Sequence, residues 1–235
     1  MILDATTRID AVGFDLDGTL IDTIGDLAAA TNAMLARLDF EPLSQDLVRT
    51  FVGHGVDQLV LRALREVQGG AEPLPQLLES ALVEFRAYYR DHVFVHSRIY
   101  PGIVSLLTAL SRSSIPLACI TNKESPLTQA LLKASGLQGY FAVVLCADEP
   151  LYRKPSPYML KEVCSMLGVE PARFAYVGDS VTDRTSAQTA GCPFFGVTHG
   201  YGLPIFAGQD KRSGMDRLMA AIQRSSAGPP SATHP

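Results

Sequence analysis

The sequence predicts an α/β fold: a doubly wound parallel sheet with a Rossmann-like core and an α-helical cap inserted after the first strand. Three observations carry that expectation. Short runs that are apolar on both faces recur along the chain and alternate with helix-forming stretches, the pattern of buried parallel strands joined by helical crossovers. One block, residues 26–92, shows helical periodicity alone. Residues able to do chemistry follow each apolar run, and an open parallel sheet gathers its reactive groups at the carboxyl ends of its strands.

The first strand is read at Ala11-Val12-Gly13-Phe14. In the helical block, Leu27, Met34, Leu35 and Leu38 mark one amphipathic helix, and Val56, Leu59, Val60, Ala63, Leu64 and Val67 a second. Leu77, Leu78, Ala81, Leu82, Phe85, Tyr88 and Tyr89 mark a third, at the spacing that puts apolar side chains on one helix face. The chain leaves the core near Ile21 and returns near Tyr100-Pro101-Gly102, which sets the expected cap at 22–98 and the core at 1–21 with 99–223. Further strands are read at Leu117-Ala118-Cys119-Ile120, Val143-Val144-Leu145-Cys146 and Phe174-Ala175-Tyr176-Val177, with a fifth at Phe194-Phe195-Gly196-Val197. Two of the intervening helices are expected to start at Ser125-Pro126 and Ser156-Pro157, with Ser as N-cap and Pro in the first turn. Residues 224–235, rich in Pro and Ser without periodicity, read as a flexible tail.

Composition narrows the function classes. With 47% hydrophobic and 19% charged residues over 235 positions, the chain can bury a substantial core and is not a disordered segment. Lys and Arg number 20 against 24 Asp and Glu, a net charge of −4, with no basic run. That balance lacks the positive footprint of nucleic-acid and anionic-membrane binders, so neither partner is expected. The start shows no basic region followed by an apolar run, and no stretch approaches 18 apolar residues, so a cytoplasmic protein is expected. The cysteines, Cys119, Cys146, Cys164 and Cys192, include no CxxC pair and fit neither a zinc site nor a disulfide framework.

The chemistry follows the strands. Asp15-Leu16-Asp17-Gly18-Thr19 comes after the first, Thr121-Asn122-Lys123 after the second, Arg153-Lys154-Pro155 after the third, and Gly178-Asp179-Ser180 with Asp183 after the fourth. Carboxylates crowded at one crevice repel unless a cation joins them, and hard oxygen ligands suit Mg²⁺. Residues two apart on an extended strand end face the same way, so Asp15 and Asp17 can address one substrate atom, one attacking while the other handles the proton. A lysine beside them would hold the nucleophile ionised and screen a transferring phosphoryl group, with the Thr121 hydroxyl completing the cradle. The expected partner is a small phosphorylated metabolite. Asp183 also reads as a helix-start residue favoured by the macrodipole.

These four segments, in this order, resemble the four motifs of the haloacid dehalogenase superfamily of phosphohydrolases over roughly residues 9–205, and within it the phosphoglycolate phosphatase group. Phe51-Val52-Gly53-His54-Gly55-Val56-Asp57, Ile120-Thr121-Asn122-Lys123 and Ala190-Gly191-Cys192-Pro193 are similar to segments of that group. The chain differs from it at Ser156-Pro157-Tyr158, where His-Pro-Asp is common, and at Arg184, where an apolar residue is usual. The resemblance implies that Asp15 is the nucleophile, forming an aspartyl-phosphate, and that Asp17 protonates the leaving alcohol and then activates water. It further implies that Thr121 and Asn122 bind the phosphoryl group and that Lys154 pairs with it and with Asp15. Mg²⁺ would be held by Asp15, the main-chain carbonyl of Asp17 and Asp179, with Asp183 and Ser180 positioning that set. Gly53, His54 and Gly55 in the cap are expected to face the substrate, 2-phosphoglycolate. A phosphosugar phosphatase, a pyrophosphatase, a phosphosugar mutase and a catalytically dead binding module are the competing readings. Asp17 argues against a dehalogenase, which lacks an acid at that place.

Overall fold

A computed structural model describes residues 8–202 and 214–226. Strand β1 (Ala11–Phe14) is the middle of a five-stranded parallel sheet. It pairs on one side with β4 (Leu117–Thr121) and on the other with β6 (Phe174–Gly178), while β5 (Val143–Cys146) and β7 (Phe194–Gly196) form the edges. Every residue of β1, β4 and β6 is buried, as strands covered on both faces must be. The edge strand β5 departs from the sequence expectation, since Val144 is 36% exposed. The local apolar run gives no sign of which strand will lie outermost, because strand order is set by non-local pairing.

Helices cover both faces. Helices α5 (Ile103–Arg112), α6 (Ser125–Ala134) and α9 (Gly214–Ser226) pack Leu107, Leu131 and Leu218 with Val12 and Phe14. On the other face α7 (Tyr158–Leu167) and α8 (Val181–Ala190) pack Met159, Leu160 and Ala187 with Ala11 and Tyr176. Glu124 and Pro157 occupy the N-cap positions of α6 and α7, one residue off the Ser-Pro reading. Ser125 is instead drawn away to Asp148, which accepts from its main-chain N–H at 2.8 Å and from its hydroxyl. Helix α9 continues three residues into the segment read as a tail, and residues 227–235 lie outside those described.

The helical block forms α1 (Ile24–Arg37), α2 (Gln45–Arg49), α3 (Val56–Val67) and α4 (Pro75–Asp91). Its own core joins Met34, Leu35, Leu64, Phe85 and Tyr89, and takes in Leu127 from α6. Cutting one of these buried leucines to alanine is expected to cost about 2–5 kcal/mol. The chain enters and leaves this block through a two-stranded antiparallel ribbon, β2 (Ile21–Asp22) with β3 (Arg98–Ile99). Asp26, buried in the first turn of α1, reinforces the crossing by accepting from the main-chain N–H of His96 at 2.7 Å and of Ser97 at 3.0 Å. Among the described residues no helix is long and apolar enough to cross a membrane.

Candidate active site

The ends of β1, β4 and β6 meet beneath the helical block in one cavity, lined among others by Asp15, Asp17, Thr121, Asn122, Lys123, Asp179, Ser180 and Asp183. Two glycines make the convergence possible. Gly13 lies opposite Tyr176 in the sheet, and a Cβ there would stand 2.6 Å from the Phe174 ring and 3.1 Å from that of Tyr176. Gly18 turns the chain back after Asp17 with φ +87°, and a Cβ would meet an Asp179 carboxylate oxygen at 2.6 Å. Only glycine satisfies both the left-handed conformation and the close approach.

Lys154 sits under the cavity floor, 3% exposed. Its three N–H protons are shared among four acceptors, Asp15 Oδ1 at 2.7 Å, Asp183 Oδ1 at 2.7 Å, the Tyr176 hydroxyl at 2.9 Å and the Ile120 carbonyl at 3.1 Å. Burial works against the ammonium charge, but Asp15 and Asp183 outweigh it and hold Lys154 charged well above its ordinary range. Burial likewise pushes the Asp15 carboxyl well above the usual range; Lys154 opposes the rise, and Asp183 and Asp179 add to it. Asp179 is pushed up to about 6, first by burial and then by Asp183, while the main-chain N–H groups of Tyr201 and Gly202 pull it back.

Asp183 serves twice. One carboxylate oxygen takes the Lys154 bond, and the other accepts from the Ser180 main-chain N–H at 3.1 Å and from its hydroxyl. Ser180 and Asp183 thus form a capping box at the start of α8, so the helix-start reading of Asp183 holds alongside its place at the floor.

Asp17 is held by groups that the sequence reading gave no role. Lys123 Nζ donates to both its carboxylate oxygens at 3.0 Å, and the Thr23 hydroxyl donates to Oδ1 at 2.6 Å. Lys123 is itself buried, with Nζ 4.8 Å from the centre of the Tyr89 ring of α4. A lysine directly after Thr121-Asn122 was a legible signal. Thr23, Tyr176 and Tyr201 were not, because each reaches the site only through tertiary packing.

Asn122 lines the cavity, but its side chain is fully committed. Its Oδ1 accepts from the Lys154 main-chain N–H at 2.7 Å, and Nδ2 donates to the Lys154 carbonyl at 3.1 Å and the Gly53 carbonyl at 3.0 Å. It therefore staples the end of β4 to the Lys154 loop and to the cap turn. Gly53 and Gly55 line the cavity, whereas His54 is not among its lining residues. Burial, followed by the charges of Arg62 and Arg153, lowers the His54 pKa.

Carboxylate oxygens of Asp15, Asp179 and Asp183 lie within 4.8 Å of one another, a spacing that one cation can bridge. Four carboxylates at the floor meet two ammonium groups, Lys123 and Lys154, which leaves two negative charges in surplus. Hard oxygen donors with that surplus fit a divalent cation of the Mg²⁺ type.

The sequence matches the haloacid dehalogenase-like hydrolase family over residues 12–197. It is 41% identical over 218 residues to the phosphoglycolate phosphatase of Neisseria gonorrhoeae, covering 93% of this chain and 92% of that protein. The phosphoglycolate phosphatase of Thiobacillus denitrificans is 42% identical over 199 residues, covering 84% and 87% respectively. The crystal structure of a predicted phosphoglycolate phosphatase from Haemophilus somnus 129PT superposes with a TM-score of 0.84 at 32% identity, covering 91% of this chain and 98% of that one. An α/β sheet with this strand order, the convergent carboxylates and lysines, and these likenesses lead to one conclusion: the chain belongs to the haloacid dehalogenase-like hydrolases and is a phosphatase.

Proposed function

We propose that the enzyme hydrolyses 2-phosphoglycolate to glycolate and phosphate through an aspartyl-phosphate on Asp15, with Mg²⁺ as cofactor. The observation that carries this reading is the state of Asp15. One of its oxygens is fixed by Lys154 at 2.7 Å, and its carboxylate lines the same cavity as Asp17. The names of the relatives supply the substrate.

Mg²⁺ would be held by Asp15, Asp179 and the main-chain carbonyl of Asp17, with Asp183 and Ser180 supporting them; bound there, it would offset the charge of the phosphoryl oxygens. The remaining steps belong to the chain. The free oxygen of Asp15 attacks phosphorus and forms the acyl phosphate as the ester oxygen leaves, taking its proton from Asp17. Asp17 then removes a proton from water, which attacks phosphorus, breaks the Asp15–phosphate bond and releases orthophosphate. Lys123 and Thr23 keep the Asp17 carboxyl aimed at the cavity. The Thr121 hydroxyl accepts from the Lys123 main-chain N–H at 3.2 Å, so its own proton can be donated to a phosphoryl oxygen. Since the Asn122 side chain is committed elsewhere, its share in phosphoryl binding falls to its main chain.

The test is phosphate release from a panel of small esters and pyrophosphate. The highest kcat/KM is expected for 2-phosphoglycolate, with activity lost in EDTA and restored by Mg²⁺. Ca²⁺ alone should fail, because it takes more oxygens than octahedral Mg²⁺ and would engage the attacking oxygen of Asp15 as well. A higher kcat/KM on a phosphosugar would replace the substrate, and full activity in EDTA would remove the metal.

A further inference from the structure

The cavity has a floor of carboxylates and lysines and a roof supplied by the helical block. The roof is largely apolar, with Leu27, Val52, Val56 and Leu59 lining it, and its charged lining residue is Arg49. Arg49 is the last residue of α2, a five-residue helix capped by Ser44, whose side chain accepts from the Leu47 main-chain N–H. The neighbouring Val48 is fully buried against Ile24 and Ala28 of α1, with Tyr201 packed alongside. That seat places the Arg49 guanidinium 5.7 Å from the centre of the Tyr201 ring.

Tyr201 is a fixed support. Its hydroxyl accepts from the Thr23 main-chain N–H at 2.6 Å and donates to Asp22 at 3.0 Å, and its own main-chain N–H donates to Asp179 at 2.6 Å. One residue thereby ties the proposed metal-binding carboxylate on the floor to the cation on the roof.

Lys123, which also lines the cavity, and the cations close to it are matched to carboxylates, apart from Arg62, which donates to the Phe51 carbonyl at 3.4 Å. Lys123 is paired with Asp17, Lys154 with Asp15 and Asp183, Arg86 with Glu124 and Asp57, and Arg153 with Asp57. Arg49 forms no ion pair among the described residues. A half-buried guanidinium facing a cavity without a counterion is complementary to an anion on the ligand, and its planar fork matches a carboxylate through two parallel hydrogen bonds.

We propose that Arg49 determines specificity by receiving the carboxylate of a small acid phosphate, at the end of the substrate away from the phosphoryl group. The inference rests on the proposed phosphoglycolate activity and adds to it the group that selects the leaving alcohol. Phosphoryl transfer is handled at the floor, and discrimination between leaving groups at the roof. An ester that ends in a neutral group would leave the guanidinium desolvated and unpaired when the cavity fills, which is how a site rejects an analogue lacking the matched charge.

The experiment compares kcat/KM on 2-phosphoglycolate and on 2-hydroxyethyl phosphate, which replaces the carboxylate with an alcohol. In Arg49→Met the ratio of the two is expected to fall by roughly 100-fold relative to the unaltered enzyme, the scale for losing one charge-assisted bidentate contact. Arg49→Gln, which keeps a planar polar end without the charge, should lower the ratio in the same direction and serves if the methionine variant does not fold. A general loss of packing would depress both esters together and leave the ratio where it was. A ratio unchanged within twofold in a folded variant overturns the role of Arg49 while the phosphoglycolate reading stands. If the unaltered enzyme does not prefer 2-phosphoglycolate at all, both that reading and this one fall. A bisphosphate preferred over 2-phosphoglycolate, with the preference lost in Arg49→Met, would assign the residue to a second phosphate and overturn the carboxylate proposal.

Discussion

Replacing Asp15 with asparagine is expected to leave a folded protein whose kcat is lower by roughly 10⁴-fold or more, because an amide oxygen cannot form the acyl phosphate. The substitution keeps the shape of the side chain. It also removes one of the three closely spaced carboxylates, Asp15, Asp179 and Asp183, while Lys154 keeps its bond to Asp183. The melting temperature of the metal-free variant is therefore expected to be no lower than that of the unaltered protein, so lost activity cannot be ascribed to unfolding. Steady-state kinetics with thermal unfolding on the same preparation checks both halves. A variant that keeps a tenth of the activity would mean that another group attacks.

Lys154→Met should damage both stability and turnover. Removing the ammonium leaves Asp15 and Asp183 buried beside each other without their shared cation, and breaking a buried ion pair from one side costs about 3–5 kcal/mol. Turnover should fall by roughly 10²–10³, the scale for removing one preorganised charge from a site of this kind. Arginine is not expected to substitute well. The site offers four acceptors gathered around a point, which suits a compact ammonium better than a flat guanidinium. Urea unfolding and kcat measured together test this account, which fails if Lys154→Met turns over at the unaltered rate.

Much of the architecture is legible in the chain because parallel strands buried on both faces must be written as continuous apolar runs. The runs at 11–14 and 143–146 coincide with β1 and β5, and those at 117–120 and 174–177 lie inside β4 and β6. Reactive residues placed after such runs converge once the strands align, which is why Asp15, Thr121 and Asp179 are found around one cavity. What was not legible depends on partners distant in sequence. Helix α2 is too short to show a period, yet it carries Arg49. Lys123 stood beside a motif residue, but its partner Asp17 lies 106 positions away. Ser125 was displaced from the N-cap position because Asp148, 23 residues downstream, competes for it. His54 was read from the glycines around it, and those glycines rather than the imidazole line the cavity.

The central claim is that Asp15 carries the phosphoryl group during turnover. Mixing the Asp17→Asn variant with 2-phosphoglycolate labelled in the phosphoryl group, quenching in acid and reducing with borohydride reports on that directly. In Asp17→Asn, Asp15 still attacks the substrate's phosphorus, more slowly without the acid for the leaving alcohol, and the group that activates water is missing too, so phosphoenzyme once formed should persist. The expected result is label on the protein before reduction and homoserine at position 15 after it. Label at any other position, or a burst of free phosphate with no labelled protein, would contradict the claim.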